Sequence, residues 1–306
     1  MGTTYSIKIS DYNNSLCSIS EISTKIDSVL NSINIQMSTY IPSSEISLFN
    51  QIDVNHILPS PEFHNVLKYA QNLSIETNGL FDITVGPLVK LWGFGKRSTT
   101  WAPPLNSKIN ELLQNNGNET WDLLDEKLIK INPNIQIDVN AIAKGFGVDE
   151  ISKLLKSTGF NNYMVEIGGE VYCSGLNESG ESWRIGVELP DFDTRTMSKI
   201  VKMSNLAMAT SGDYRNFYTH NGKNYSHIIN PKTGKPIAHS LASATVISQT
   251  CMNADGLATA LLVMGTEEAL SYIESKNEVE CLLIERTEAG EFKTFMSSGF
   301  GRFLSE

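Results

Sequence analysis

The sequence predicts an α+β fold in which mixed, largely antiparallel sheets are layered with helices. Long segments with apolar residues at helical spacing are interspersed with short segments of strict alternation. Many of the short segments are joined by turns of hairpin length, such as His220-Asn-Gly-Lys223, rather than by crossover helices. The chain of 306 residues is 41% hydrophobic, enough to bury a full core as one domain over 1–306 or as two intimate lobes.

The chain opens with an alternating strand, Met1 to Ile9. Ile19, Ile22, Ile26, Val29, Leu30 and Ile33 then recur at helical spacing and predict a helix from Ile19 to Ile35. Ser43 and Ser44 are caps for a short helix at Glu45 to Phe49. Pro61 opens a second long helix that Asn78-Gly79 stops. Gly93 to Asn118, with three glycines and two prolines, reads as a loop-like excursion within a domain. Leu128 to Ile131 and Ile135 to Val139 alternate as strands. A helix follows from Asn140, its expected cap, through Leu155 to a stop at Thr158-Gly159. Further strands are expected at Tyr163–Ile167, Val171–Cys173, Trp183–Glu188, Ser204–Ala209, Asn216–Tyr218 and Leu241–Ser248, with final helices beginning near Asn253 and Thr266.

The formal net charge of −10, with no basic run longer than Lys96-Arg97, argues against a nucleic-acid or anionic-membrane surface. Cys17, Cys173, Cys251 and Cys281 lack the spacing of a zinc site or redox pair and read as buried apolar thiols. No apolar run approaches the roughly 20 residues of a spanning helix. A strand at the very start leaves two expectations open: a cytosolic protein, or one whose leader lies upstream of this sequence.

Neither GxGxxG after a strand nor GxxxxGK[ST] occurs, and GxSxG and HExxH are absent too. Common nucleotide-binding loops, serine hydrolases and zinc proteases therefore have no foothold. What remains is His227 beside a turn, and Asp255 with Thr259 four residues apart on a predicted helix. An i,i+4 pair shares one helical face, so both oxygens can reach one small ion. The pattern points to metal-assisted chemistry at phosphate. The residues also admit plainer roles: Asp255 as a helix cap, His227 as a structural hydrogen-bonder, Asp138 as a cap and Lys144 as a solvated helix position.

Eight blocks in order carry a wider resemblance. They are Met1-Gly-Thr-Thr-Tyr5; Ser38-Thr-Tyr40 with Ser44 to Asn50; Gly79-Leu-Phe-Asp-Ile-Thr-Val-Gly-Pro87; Ile137-Asp-Val-Asn-Ala-Ile-Ala-Lys-Gly145; Glu166-Ile-Gly-Gly169; Ser211-Gly-Asp-Tyr-Arg215; Ser226-His-Ile-Ile-Asn-Pro231; and Ala254-Asp-Gly-Leu-Ala-Thr259. Together they resemble the ApbE family of FAD:protein FMN transferases over nearly the whole chain. The resemblance implies a T-fold-like core and an FAD/metal cleft between any two lobes. It also implies Mg²⁺-dependent transfer of FMN from FAD to a Thr or Ser of a target protein, with release of AMP. It places Met1, Tyr40, Leu80, Phe81, Asp82, Asp138, Lys144 and Ile229 around FAD. It gives the metal to the Ala141 carbonyl, Asp255 and Thr259, and makes His227 the base. A further aspartate that some relatives carry falls here on Ala258, and Asn230 stands where many have Asp.

Arg184 and Arg215 are candidates for contact with phosphate or protein substrate. The resemblance implies an acceptor flavoprotein with a Thr/Ser flavinylation motif, such as a membrane respiratory subunit. It also implies periplasmic work, with attachment to the inner membrane only through a leader or lipid anchor absent from this chain. An FAD pyrophosphohydrolase giving FMN and AMP, and a non-catalytic FAD-binding protein, would share most of these residues and stay open as alternatives.

Overall fold

The computed structural model describes residues 2–13, 16–94, 101–191, 196–213 and 217–305. They gather into two compact units, the first drawn from Met1–Ile33, Ile142–Gly212 and Ser240–Glu306, the second from Asn34–Ala141 and Asp213–His239.

The first unit is built on a seven-stranded sheet: Tyr5–Ile9, Tyr163–Ile167, Glu170–Ser174, Leu206–Gly212, Leu241–Ser248, Glu280–Arg286 and Phe292–Met296. These strands neighbour one another in chain order, and every pairing is antiparallel. The second unit's sequence enters as two excursions from this meander, after the first strand and after Gly212. Period-two alternation decides which side chains face which layer. Val165 and Ile167 join Ile22 and Ile26 of helix Ile19–Met37 and Val148, Ile151 and Leu155 of helix Asn140–Thr158 in one core. Val171 and Cys173 join Trp183 and Val201 of the hairpin Trp183–Glu188/Met197–Met203 in another. Leu241–Ser248 is buried at every residue, as a central strand covered on both faces must be.

The second unit holds a small sheet ordered His56–Ile57, Lys127–Lys130, Trp121–Leu124, and the hairpins Phe217–His220/Lys223–Ser226 and Ile229–Asn230/Lys235–Pro236. Asn221 and Gly222 both have positive φ, as a two-residue turn matched to the strand twist requires. Leu88, Trp92, Phe94, Ile109 and Ile229 form one of its apolar clusters, and the Trp92 indole donates to the Gly234 carbonyl at 2.7 Å.

Several expectations need correction. Ile135 to Val139 is not a strand: the Asn50 side chain, rather than a neighbouring strand, takes both polar groups of Ile137, at 2.8 and 2.9 Å. The alternation there reflects burial of Ile135, Ile137 and Val139, not sheet pairing. Ser204 and Asn205 form a turn, with Asn205 at φ +56°, between the strands Met197–Met203 and Leu206–Gly212; the first of these was not anticipated. Asn140 is the first helical residue rather than the cap; the Asp138 carboxylate accepts its N–H at 2.9 Å. The excursion after Gly93 contains the helix Asn106–Leu113, and its residues 95–100 lie outside the described residues. Helix Cys251–Met264 begins two residues before the expected Asn253, because Thr250 accepts the Asn253 N–H and caps it.

Candidate active site

Helix Cys251–Met264 packs on strands Leu206–Gly212 and Leu241–Ser248 and carries Asp255 in its interior, 2% exposed. Asp255 is therefore not the helix cap. A carboxylate so buried needs partners. Its Oδ2 accepts the N–H of Gly145 at 3.0 Å, and its Oδ1 lies 3.5 Å from Lys144 Nζ. Gly145 is required at this approach, because a Cβ there would overlap the Cys251 carbonyl and come within 2.8 Å of the Asp255 Cβ. One turn further on, the Thr259 hydroxyl shares a hydrogen bond of 3.1 Å with Ser211, near the end of strand Leu206–Gly212.

Lys144, whose side chain is 28% exposed, also reaches Glu170 Oε1 at 3.1 Å. Glu170 is 3% exposed and opens its strand directly after Gly168 and Gly169, both at positive φ. Its Oε2 makes no hydrogen bond among the described residues. Burial alone would lower the Lys144 pKa, but the charges of Asp255 and Glu170 outweigh it and hold the ammonium above its ordinary value. Burial, reinforced by Asp255, pushes the Glu170 carboxyl up to about 8 against the pull of Lys144. Burial likewise raises Asp255, opposed by Lys144 and the Gly145 N–H. Two buried carboxyl groups thus compete for one ammonium.

The donor set fits a hard divalent cation. Asp255 Oδ1 and the Thr259 hydroxyl are oxygen donors one helical turn apart, and Mg²⁺ completes such a set with water and phosphate oxygens. Among the described residues no group of three or more His, Cys, Asp or Glu forms a metal site, so the softer ligand sets of structural zinc have no counterpart there.

The remaining predicted residues fall in the second unit, except Met1 and Arg215, which lie outside the described residues, and Arg184, exposed on the first unit's hairpin. Ala141 stands in the first turn of helix Asn140–Thr158. Asp138 is brought to the Leu80–Asp82 segment by its N–H, which donates to the Ile83 carbonyl at 2.7 Å, and Gly86 leaves room for it. Burial raises the Asp138 pKa, opposed by its bonds to Asn140 and by Lys90. Asp82 accepts the N–H and hydroxyl of Thr84 at 2.8 and 2.7 Å and an Asn116 N–H at 3.1 Å. Burial still pushes it up to about 6. Asp82 and Asn116 also line a cavity of about 590 Å³ with Ser74, Asn118, Glu119 and Lys232.

Phe81 and Ile229 are buried, whereas Tyr40 is 80% exposed and can offer its ring. Asn230 Oδ1 accepts the Lys232 N–H at 2.9 Å, the turn role an aspartate would have. His227 follows the hairpin strand Lys223–Ser226 and sets its ring edge-on to Phe94, with centroids 6.2 Å apart. Phe94 in turn packs on Tyr218, which stacks on Trp101 at 4.7 Å and donates its hydroxyl to the Gly93 carbonyl. Glu170, Thr84 and Asn116 were not singled out from sequence. For Glu170 the only signal was its place one residue beyond the Glu166-Ile-Gly-Gly169 block.

Comparison with known proteins places the chain in a family. The model of the ApbE family matches residues 1–283. A protein of Vibrio cholerae named FAD:protein FMN transferase is 43% identical over 307 residues, covering 100% of this chain and 91% of its own length. One of Haemophilus influenzae with the same name is 42% identical, covering 98% and 88%. The solved flavin transferase ApbE from V. cholerae superposes with a TM-score of 0.90 at 41% identity over 99% of this chain and 96% of that one. The apo flavinyl transferase ApbE of Pseudomonas stutzeri gives 0.89 at 32% identity over 100% and 95%. With the family model spanning most of its length and relatives this similar from end to end, the chain belongs to the ApbE family.

Proposed function

We propose that this chain is a FAD:protein FMN transferase that moves FMN from FAD to a Thr or Ser hydroxyl of a target protein, with Mg²⁺ as cofactor and AMP as leaving group. The observation that carries the reading is the buried Asp255 with Thr259 one turn away, both offering oxygen to one small ion. The name borne by the V. cholerae and H. influenzae relatives agrees with it. Asp255, Thr259 and the Ala141 carbonyl would hold the ion. Mg²⁺, when bound, neutralises charge on the pyrophosphate of FAD and on the departing phosphate.

The chain's own residues account for the rest. Tyr40, Leu80, Phe81, Asp82, Asp138, Lys144, Ile229 and Met1 bind and orient FAD. His227 accepts the proton of the acceptor hydroxyl as its oxygen bonds to the FMN phosphorus and the P–O bond to AMP breaks. An imidazole suits that transfer near neutral pH, and such assistance is worth about 10²–10⁴ in rate. The acceptor we expect is an exported flavoprotein with a Thr/Ser flavinylation motif, such as a membrane respiratory subunit, so the site of action is extracytoplasmic.

The test follows AMP release and acceptor mass after incubation with FAD and Mg²⁺, with and without an acceptor domain. An acceptor heavier by FMN, with the gain lost in EDTA and slowed about 10²–10⁴-fold in His227→Ala, is the expected result. Free FMN and AMP beside an unmodified acceptor would make the chain a pyrophosphohydrolase instead. FAD bound without turnover would make it a binding protein.

A further inference from the structure

We infer that Glu170 is a positioning residue: it draws the Lys144 ammonium off Asp255 and so keeps that carboxylate available to a divalent cation. The inference rests on the reading of Asp255 and Thr259 as the cation's ligands. Asp255 has one oxygen committed to the Gly145 N–H, which leaves Oδ1 for either Lys144 or a cation. Two cations a few ångströms apart on one oxygen repel each other strongly in a buried site. The ammonium must therefore move when a cation binds, and the structure supplies a place for it.

Lys144 already sits closer to Glu170, 3.1 Å against 3.5 Å to Asp255. Glu170 retains a second, buried oxygen with no hydrogen bond among the described residues. An unpartnered carboxylate oxygen at 3% exposure is costly to keep. An ammonium carries three donors and can serve both oxygens of one carboxylate. The Gly168–Gly169 turn makes this geometry possible. At φ +61° Gly168 folds the strand end back, and a Cβ there would press on Thr3 at 2.9 Å and on the Lys144 stem at 3.4 Å. With Glu170 present, the cation competes with a shared ammonium; without it, the cation must break a one-to-one buried ion pair.

The test is a titration of the purified chain with Mn²⁺ alone, free ion being counted by its electron paramagnetic resonance, since Mn²⁺ shares the oxygen-ligand preference of Mg²⁺. Glu170→Gln is expected to raise the Mn²⁺ dissociation constant about tenfold, within the usual range of coupling between sites. Adding Lys144→Met to that variant should bring it back to within about twofold of the wild type. Glu170→Asp, which keeps the charge on a shorter stem, should lie between and serves as the comparison if E170Q does not fold. Binding by E170Q equal to wild type would overturn the inference, as would a loss that Lys144→Met does not relieve, since Glu170 would then touch the ion or merely shape the pocket. Asp255→Asn separates the two levels. If D255N binds Mn²⁺ as wild type does, the ligand reading itself fails and the inference with it; if D255N alone loses the ion, the ligands stand and only the role of Glu170 is refuted.

Discussion

Asp149 shows how a single side chain links the sheet-packing helices to pH. Its carboxylate accepts the N–H groups of Cys251 and Met252 at 2.8 and 2.9 Å, where the helix Cys251–Met264 begins. Those donors and the helix dipole favour the charged form. Burial outweighs them and pushes the carboxyl up to about 6. A carboxyl with a raised pKa holds its proton more tightly folded than unfolded, so its contribution to stability is full below about pH 4 and declines as pH rises to about 6. The amide introduced by Asp149→Asn cannot titrate. The stability of the wild type relative to that variant should therefore fall by on the order of 2 kcal/mol between pH 4 and 6 and stay level above, in urea unfolding measured across that range. A flat difference would mean that the carboxyl is not raised. No local sequence signal marks Asp149, because its partners lie about a hundred residues away.

At the level of elements, helix Asn140–Thr158 meets helix Cys251–Met264 at a glycine. Gly145→Ala should cost about 1–3 kcal/mol, because the new methyl overlaps the Cys251 carbonyl and crowds the Asp255 Cβ. Because Asp255 also loses its alignment with the Gly145 N–H, Mn²⁺ binding should weaken in the same variant. Calorimetric unfolding and Mn²⁺ titration check the two halves separately; an unchanged melting temperature would show that the helices can part freely. Periodicity located these elements well wherever the burying partner was regular. Helix Ile19–Met37 and strands Tyr163–Ile167 and Leu241–Ser248 lie where their apolar spacing put them. It failed at Ile135 to Val139, where a side chain of Asn50 replaces a strand, and at Asn106–Leu113, whose amphipathic turn was masked by the surrounding glycines and prolines. An alternating pattern reports burial of every second residue; it cannot report which backbone, or which side chain, takes the hydrogen bonds.

Across the whole molecule, the four cysteines belong to the buried core and none is paired. Burial pushes the thiols of Cys173 and Cys281 up to about 12 and raises Cys251 far above its ordinary value. The folded protein should therefore give essentially no rapid reaction with a thiol reagent, and all four should react once guanidinium unfolds the chain; fast labelling of the native protein would contradict the core described here. The sequence by itself determined the α+β class, the apolar thiols, the ordered blocks of the family and the i,i+4 placement of Asp255 and Thr259, since each of these is set by composition or by neighbours within a turn or two. Only the tertiary structure decided that the seven strands follow one another as an antiparallel meander, and that Asp255, Lys144 and Glu170 share one buried cluster. It also decided that Asp255 is ringed by Gly145 and Lys144 rather than capping a helix. The physical reason is distance along the chain: Lys144 and Asp255 lie 111 residues apart, and the energies that join them are those of burial and charge in a packed interior, which no local pattern encodes.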